Sequence, residues 1–323
     1  QAVAALALAL LALMGSGAIG GLLVLAALVM LSLARRLSSI ATKDVLGKTI
    51  AKRRRGTLMG WSGSVAGGAT LVAGGVLMWF GDRPGNLALA ILLGVAAAGW
   101  LLNALCAARI KEVPGSIEGG ENAWDSIKLG LSLLREDRTF LHFNVARALL
   151  LSSALALPYL ALLGQQQSGT ELGGLGILVV VSGLAAMVAS PIWGKRADQS
   201  SRRVMRDAAV GTVLCCLLGA ALAWLPGDWT QSVLPYAAIY ALLVIVHHGV
   251  RLGRKTYLVD IASQDNRALY VALSNTLTGV LMLVVGGIIG ALAQWLGSAM
   301  LLVVLALTAV GAMFSAQRLP EAE

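Results

Sequence analysis

The chain has 323 residues, of which 58% are hydrophobic and 13% are charged, and its mean hydropathy is +0.80. A soluble protein of this length keeps a mostly polar surface, so the composition excludes a soluble fold and predicts an all-α membrane protein. The net charge of +9 does not indicate nucleic-acid binding, because the lysines and arginines lie mostly in short segments between apolar runs.

Apolar runs of about 18 residues or more recur along the chain, and each is long enough to cross a bilayer as a helix. The first run, residues 2–34, would be about 50 Å long as one helix, so we divide it at Gly15-Ser16-Gly17. Because the sequence starts inside an apolar run and without methionine, we expect a fragment or a processed product. The ten predicted spans are residues 1–14, 18–42, 57–80, 87–109, 140–163, 172–193, 207–225, 234–260, 268–294 and 297–316.

The connections between these spans alternate in charge. Of the 25 lysines and arginines, only Arg83 falls in the set of connections at 81–86, 164–171, 226–232 and 297–298. Basic connections stay on the cytoplasmic side of a membrane, so the other set and the C-terminal tail are predicted to be cytoplasmic, in a bacterial-type inner membrane. That other set comprises residues 43–55, 109–138, 195–206 and 254–267.

Residues 191–203, with the sequence P-I-W-G-K-R-A-D-Q-S-S-R-R, form a charged connection between two apolar runs. Gly194 would allow close helix approach, and Asp198 follows it four residues later. The pair Arg202 and Arg203 comes four and five residues after Asp198. An ordinary basic cytoplasmic loop is the alternative, but the spacing resembles the signature loop of the major facilitator superfamily. The resemblance implies a helical bundle with two pseudo-symmetric lobes.

The longest predicted connection, residues 111–138, divides four predicted spans from six. The resemblance implies that it is the cytoplasmic loop between the lobes, and that the chain contains helices three to twelve of twelve. Residues 1–110 would then form an incomplete first lobe with helices three to six, and residues 139–318 a six-helix second lobe before a tail at 319–323. Amphipathic spacing predicts an interfacial helix at residues 124–134.

The resemblance also implies a gate between the lobes at the cytoplasmic side. Asp198 would face the positive end of helix five near Thr57. Arg202 or Arg203 would meet Asp260 at the end of helix ten. The six predicted gate residues are Gly194, Asp198, Arg202, Arg203, Asp260 and Asp44.

Two stretches of the chain share a spacing of polar residues and glycines. In both, an arginine precedes an aspartate by nine residues, and a second arginine is followed by a serine after seven residues and by a glycine five residues later. The stretches lie at the ends of helices four and ten in the family numbering, so we predict an internal repeat of the two lobes. The twin of the signature loop, between helices two and three, would supply the partner of Asp44. That loop lies outside this chain, so Asp44 is predicted to lack its partner. The matched residues are Arg35, Asp44, Arg55, Ser62 and Gly67 in one copy, and Arg251, Asp260, Arg267, Ser274 and Gly279 in the other.

Several charged or titratable side chains fall inside predicted spans, where they usually face a cavity or a partner. The resemblance implies that the helices carrying them, four, seven and ten, line the central cavity. The arginines would reach the cytoplasmic interface, or pair with Asp44 and Asp260 as closing latches, or form a cationic vestibule for an anionic small substrate. The histidines would either form a neutral hydrogen-bonded pair or carry protons. The candidates are Arg35, Arg36, Arg147, His247, His248 and Arg251.

The function implied by the resemblance is secondary active transport of a small molecule by alternating access, in a monomer embedded in lipid, with protons as the candidate coupling ion. The alternative is a non-transporting membrane protein, such as a receptor-like protein or an assembly factor, that keeps the fold. We find no nucleophile or metal constellation and predict neither enzymatic activity nor a cofactor. The G-x-G-x-x-G pattern at 15–20 lies in an apolar run without strands around it, and Gly47-Lys48-Thr49 lacks the first glycine of a phosphate loop, since Thr42 stands there.

Overall fold

The computed structural model describes residues 1–14, 18–79, 85–111, 132–168, 175–227, 232–263 and 266–321. Within these ranges the regular structure is helical and contains no strand, which agrees with the predicted all-α class. The predicted interfacial helix at 124–134 lies outside the described residues, except for its last three positions. The helices are α1 (Ala2–Met14), α2 (Ala18–Thr49), α3 (Lys52–Trp79), α4 (Asn86–Ala107), α5 (Arg138–Leu149), α6 (Ser152–Ser168), α7 (Leu175–Trp224), α8 (Val233–Ile261) and α9 (Arg267–Gln317).

Six helical stretches in the described part of the chain are long and apolar enough to cross a membrane. Two helices, α7 and α9, have 50 and 51 residues, and each is interrupted by one residue with non-helical dihedral angles. Each of them therefore consists of two shorter helices that meet at the interruption. The interruptions are Ser200 and Gly297, and the φ of 75° at Gly297 favours glycine. The count of ten spans and the incomplete first lobe remain predictions.

The helices extend beyond the predicted spans where the sequence is charged. α2 continues to Thr49 and α3 begins at Lys52, so most of the connection predicted at 43–55 is helical. Residues 191–203, predicted as a loop, are helical apart from the interruption at Ser200. These loop boundaries were wrong because hydropathy marks only the lipid-facing length of a helix, whereas lysine, arginine, alanine and glutamine continue a helix outside the lipid.

α3 and α7 pack closely along most of α3, and glycines make this approach possible. A Cβ atom added at Gly60 would lie 2.5 Å from the carbonyl oxygen of Ser190. One added at Gly67 would lie 2.5 Å from the backbone nitrogen of Met187. Small residues let two helix backbones come this close in a membrane. Since α3 belongs to the predicted first lobe and α7 to the predicted second lobe, this is a seam between the two predicted lobes.

Two clusters of buried apolar side chains hold α5 to α9 together. The first includes Phe143 of α5 and Tyr257 of α8, whose ring centroids are 5.4 Å apart, and reaches Leu319 after α9. The second is centred on Leu160 of α6 and Leu243 of α8. All the buried members of both clusters lie between residues 140 and 319. This packing fixes the positions of α5 and α8, which carry four of the six candidate cavity residues.

Candidate functional site

The charged end of the bundle is the region where Asp44, Arg55, Asp260 and Arg267 come together, at the ends of α2 and α8 and the starts of α3 and α9. Nη1 of Arg55 donates to Oδ1 of Asp260 at 2.9 Å, and Nη1 of Arg267 lies 3.8 Å from Oδ1 of Asp44. These four residues are matched positions of the sequence repeat, and each aspartate faces the arginine of the other copy. We call them the crossed ion pairs. They connect the predicted first lobe to the predicted second lobe.

Both arginines of the crossed ion pairs lie against Gly47 of α2. Nη2 of Arg55 donates to the carbonyl oxygen of Gly47 at 2.7 Å, and a Cβ atom added at Gly47 would overlap the guanidinium of Arg267. The side chains of Arg55 and Asp260 are only 11% and 7% exposed. Removal of either one would therefore leave a largely buried charge without its partner.

Asp198 of α7 binds backbone N–H groups near the start of α3, in a contact that we call the Asp198 cap. Its Oδ1 accepts a hydrogen bond from the backbone nitrogen of Gly56 at 2.5 Å, and its Oδ2 accepts from the backbone nitrogen of Thr57 at 2.7 Å and from the Thr57 hydroxyl. α3 begins at Lys52, so Gly56 and Thr57 lie in its second turn, close to the end of the helix that carries partial positive charge and attracts a carboxylate. The structure thus places Asp198 against Thr57, the neighbour that the resemblance implied.

Gly194 lies one helical turn before Asp198 and makes this contact possible. A Cβ atom at Gly194 would lie 2.9 Å from the Cα atom of Gly60 and as close as 2.5 Å to the carbonyl oxygen of Gly56. Both neighbours are backbone atoms that cannot move aside without shifting α3. The side chain of any other residue would push α7 away from α3 and lengthen the hydrogen bonds of Asp198.

The predicted contact of Arg202 or Arg203 with Asp260 is wrong. Nη2 of Arg202 instead lies 2.7 Å from Oε1 of Glu321, and Nε of Arg203 lies 3.8 Å from the same oxygen. The hydroxyl of Ser200 donates to the other oxygen of Glu321 at 2.8 Å. The reason is the interruption at Ser200, after which the two arginines contact the C-terminal tail while Asp260 is occupied by Arg55.

Asp44 also differs from its prediction, because it does not lack a partner. Besides Arg267 it contacts Lys48, one turn later in α2. The predicted pairing of Arg35, Arg36, Arg147 or Arg251 with Asp44 or Asp260 does not occur among the described ion pairs, since Arg267 and Arg55 hold these two carboxylates.

Arg147 of α5 binds neutral side chains of α9. Its Nη1 donates to Oγ of Ser274 at 2.7 Å, and its Nη2 donates to Oδ1 of Asn275 at 3.0 Å. The Ser274 hydroxyl in turn donates to Oδ1 of Asn144 at 2.7 Å. The guanidinium is therefore held in one orientation without a counter-ion, and its Nε is buried with no hydrogen-bond partner.

The other arginine candidates lie close enough to interact through their charges. Arg36 of α2 acts on Arg147, and its Nη2 lies 4.0 Å from the place that a Cβ atom of Gly279 in α9 would take. Arg35 acts on Arg251 of α8 in the same way. The structure thus brings together the predicted cavity arginines from α2, α5 and α8.

His247 and His248 lie on α8 above Arg251, and both are half-buried. Nδ1 of His247 is 3.0 Å from the hydroxyl of Ser153, which also donates to the carbonyl oxygen of Leu150 at 2.9 Å. Because the Ser153 hydroxyl donates its proton to the carbonyl oxygen of Leu150, its oxygen is the acceptor in the contact with His247. The ring N–H of His247 is therefore the donor. This contact joins α8, which carries His247, to the start of α6.

Three basic residues that the sequence analysis did not single out belong to the same region: Lys43, Arg254 and Lys255. Their charges act on those of Arg147 and Arg251. The spacing on α8 could have revealed two of them, because positions 247, 251, 254 and 255 follow the three-and-four pattern of one helix face. Lys43 had no such signal, since it falls just beyond the apolar run in a segment predicted as a loop.

No protein-family model matches the chain, and no curated protein matches it at a significant level. Among solved structures, the crystal structure of a bacterial homologue of the iron transporter ferroportin in an outward-facing state is similar. It has a TM-score of 0.67 and 14% sequence identity, over 98% of this chain and 78% of that chain. The crystal structure of the E. coli fucose:proton symporter is similar with a TM-score of 0.68 and 12% identity, over 99% of this chain and 82% of that chain.

Both neighbours are transporters of the major facilitator superfamily, and at these identities the likeness concerns the fold. The similarity extends over nearly the whole chain. The chain is therefore an all-helical membrane protein with the fold of the major facilitator superfamily, which confirms the resemblance drawn from residues 191–203.

Proposed function

We propose that this protein is a secondary active transporter that moves a small molecule by alternating access between two lobes. The observation that carries the proposal is the set of contacts at the charged end. The crossed ion pairs and the Asp198 cap all connect α2 or α3 with α7, α8 or α9. These contacts are polar and reversible, unlike an apolar seam, so they suit a connection that opens and closes.

The charged end works as a latch in this proposal. When the crossed ion pairs and the Asp198 cap are made, the lobes are closed at that end, and opening requires that all three contacts break together. A few kcal/mol is enough to hold one of two conformers in excess, and substrate binding can shift the balance by its differential affinity. The positive-inside pattern places this end in the cytoplasm of a bacterial-type inner membrane, so the conformer described here is closed toward the cytoplasm.

Protons are the coupling ion that we propose, with His247 as the group that carries them. A nitrogen of the imidazole ring can bind a proton, and the contact of this ring with Ser153 links α8 to α6. Protonation would place a further positive charge beside Arg251 and Arg254, which act on His247 through their charges. A change in the protonation of His247 would therefore change the balance of charge between the helices that line the cavity.

The test is uptake by the intact protein in proteoliposomes. The vesicles are offered a defined mixture of sugars, amino acids, carboxylic acids and phosphate esters, and the internal contents are identified by mass spectrometry. We expect accumulation of at least one compound class by the wild-type protein. We expect Asp198→Asn to insert normally but to lower the rate about tenfold or more, since the amide loses the charge that faces the start of α3.

Two results would count against the proposal. Undiminished uptake by Asp198→Asn would remove the latch from the mechanism. No uptake of any class by a folded, correctly inserted wild-type protein would favour the alternative of a membrane protein that keeps the fold without transporting.

A further inference from the structure

Five basic residues near the charged end form a group that we call the cationic cluster: Lys43 of α2, Arg147 of α5, and Arg251, Arg254 and Lys255 of α8. Lys43 is buried and Arg147 and Arg254 are half-buried, whereas Arg251 and Lys255 are exposed. Each is close enough to others of the group for their like charges to act on one another. Counted along the helices, Lys43 lies six residues before the end of α2 and Arg254 seven before the end of α8, about 10 Å inside the charged end. The cluster therefore lies within the bundle, between helices of both predicted lobes.

The cationic cluster has no carboxylate partner among the described residues. The nearest acidic side chains in the sequence are occupied elsewhere: Asp44 by Lys48 and Arg267, Asp260 by Arg55, and Asp137 by the hydroxyl of Tyr270. Holding the charges of Lys43, Arg147 and Arg254, which are buried or half-buried, close together without a counter-ion is unfavourable, because the interior screens their repulsion less than water does. Such a group is expected to hold an anion for at least part of its working cycle.

Two unused hydrogen-bond donors indicate where the anion would bind. Nη1 of Arg254 and Nε of Arg147 are both buried and have no hydrogen-bond partner in the structure. The guanidinium of Arg147 cannot simply turn to satisfy its Nε, because Ser274 and Asn275 hold its other nitrogens. A buried donor without a partner is costly, so donors of this kind at a functional site mark the position of an absent acceptor.

We propose that the cationic cluster binds the phosphate group of the transported substrate, between Arg147, Arg254 and Lys43. The three side chains come from three different helices and so reach a common ligand from different directions. A tetrahedral phosphate presents oxygens in several directions and carries close to two negative charges, whereas a carboxylate presents two oxygens in one plane and a single charge. Inorganic phosphate and an organic phosphate ester share this chemistry.

The proposed site joins substrate binding to the latch. Arg147 and Arg254 belong to the predicted second lobe and Lys43 to the predicted first lobe, so a bound anion would offset the repulsion between the two and draw the lobes together. Lys43 adjoins Asp44, and Arg254 lies six residues, about 9 Å, from Asp260 along α8. The role as a substrate site rests on the transport function proposed above, whereas the binding itself does not.

The binding test measures the thermal stability of the intact protein in detergent. Sodium phosphate and glycerol 3-phosphate are compared with sodium succinate and with sodium chloride at equal ionic strength. We expect both phosphates to raise the Tm in a saturable way and succinate to do so far less. Arg254→Gln should weaken phosphate binding at least about tenfold, the loss expected for one charge-assisted hydrogen bond. Lys43→Gln, on a different helix, should do the same and serves if Arg254→Gln does not fold.

The matched control is Arg109→Gln, which removes one exposed positive charge after α4 and should leave phosphate binding unchanged. Succinate binding tighter than either phosphate, or phosphate binding that both cluster variants retain, would overturn the site. Uptake measurements distinguish a failure of the proposed phosphate site from a failure of the proposed transport function. Uptake of a phosphate-free compound that Arg254→Gln leaves intact would reject the site and keep the transport function. Arg254-dependent phosphate binding without any uptake would keep the site and reject transport.

Discussion

At the scale of single residues, the charged end is built from contacts that each satisfy a specific electrostatic need. Asp198 accepts hydrogen bonds from N–H groups in the second turn of α3, and Asp260 pairs with the buried guanidinium of Arg55. The repeat explains why the ion pairs are crossed. Two related lobes face each other, so a residue at the end of one helix meets the partner residue of the other lobe rather than of its own.

The strength of the Arg55–Asp260 pair can be measured with a double-mutant cycle. Because both side chains are largely shielded from water, we expect Arg55→Gln and Asp260→Asn each to lower the free energy of unfolding by about 3 kcal/mol. The double variant should lose little more than either single variant, because the second substitution removes a charge that is already unpaired. Unfolding by increasing fractions of denaturing detergent provides the measurement.

The cycle has a matched control at the surface. Arg206 and Asp207 form an ion pair between neighbours in sequence, and both are far more exposed. The same substitutions there should cost less than about 1 kcal/mol. Losses at Arg55 and Asp260 that simply add would show that the two side chains do not stabilise each other.

At the scale of elements, the seam between α3 and α7 is a close approach of two backbones. Not all the glycines of α3 lie at this seam. Gly60 faces α7, where an added Cβ atom would meet backbone atoms of Ser190, Pro191 and Gly194, whereas a Cβ atom added at Gly75 would have no neighbour within 4 Å. The composition of α3 alone does not separate these two kinds of glycine.

Alanine substitutions should therefore have opposite effects within α3. Alanine stabilises a helix by about 1 kcal/mol relative to glycine, so Gly75→Ala should raise the Tm of the detergent-solubilised protein slightly. Gly60→Ala should lower it, because its Cβ atom would be 2.5 Å from the carbonyl oxygen of Ser190 and would force the helices apart at a cost of about 1–3 kcal/mol. Equal effects at the two positions would mean that the seam is looser than the structure indicates.

At the scale of the whole molecule, the sequence allowed the fold class, the family fold and the segments that meet at the charged end to be predicted. These depend on local properties: long apolar runs, basic connections and the spacing of Gly194 and Asp198. The partners of the charges could not be predicted in the same way. Arg55 and Asp260 are 205 residues apart and Ser200 and Glu321 are 121 apart, so these pairs depend on how the helices pack.

The spacing of the repeat came closest to revealing the crossed ion pairs. It matched Asp44 with Asp260 and Arg55 with Arg267, but a repeat shows only which residues are equivalent and not which of them are in contact. The cationic cluster was found in part, through Arg147 and Arg251. Hydropathy assigned Lys43 to a loop, although α2 continues through it. Arg254 lay inside the predicted span 234–260 but was counted with the basic connection at 254–267.

The latch as a whole is tested by distances across the charged end. Spin labels at Thr49→Cys, at the end of α2, and Gln317→Cys, at the end of α9, would report the separation of the lobes, with the three native cysteines replaced by alanine. We expect a short-distance population in the protein with Asp44 and Asp260 intact, and an added longer population in the Asp44→Asn, Asp260→Asn variant. Loss of about 3 kcal/mol is enough to raise an open conformer from roughly 1% to more than half. Asp207→Asn, whose carboxylate contacts only its neighbour Arg206 among the described ion pairs, is the matched control and should leave the distances unchanged. If both variants keep the short distances alone, the crossed ion pairs do not hold the lobes closed.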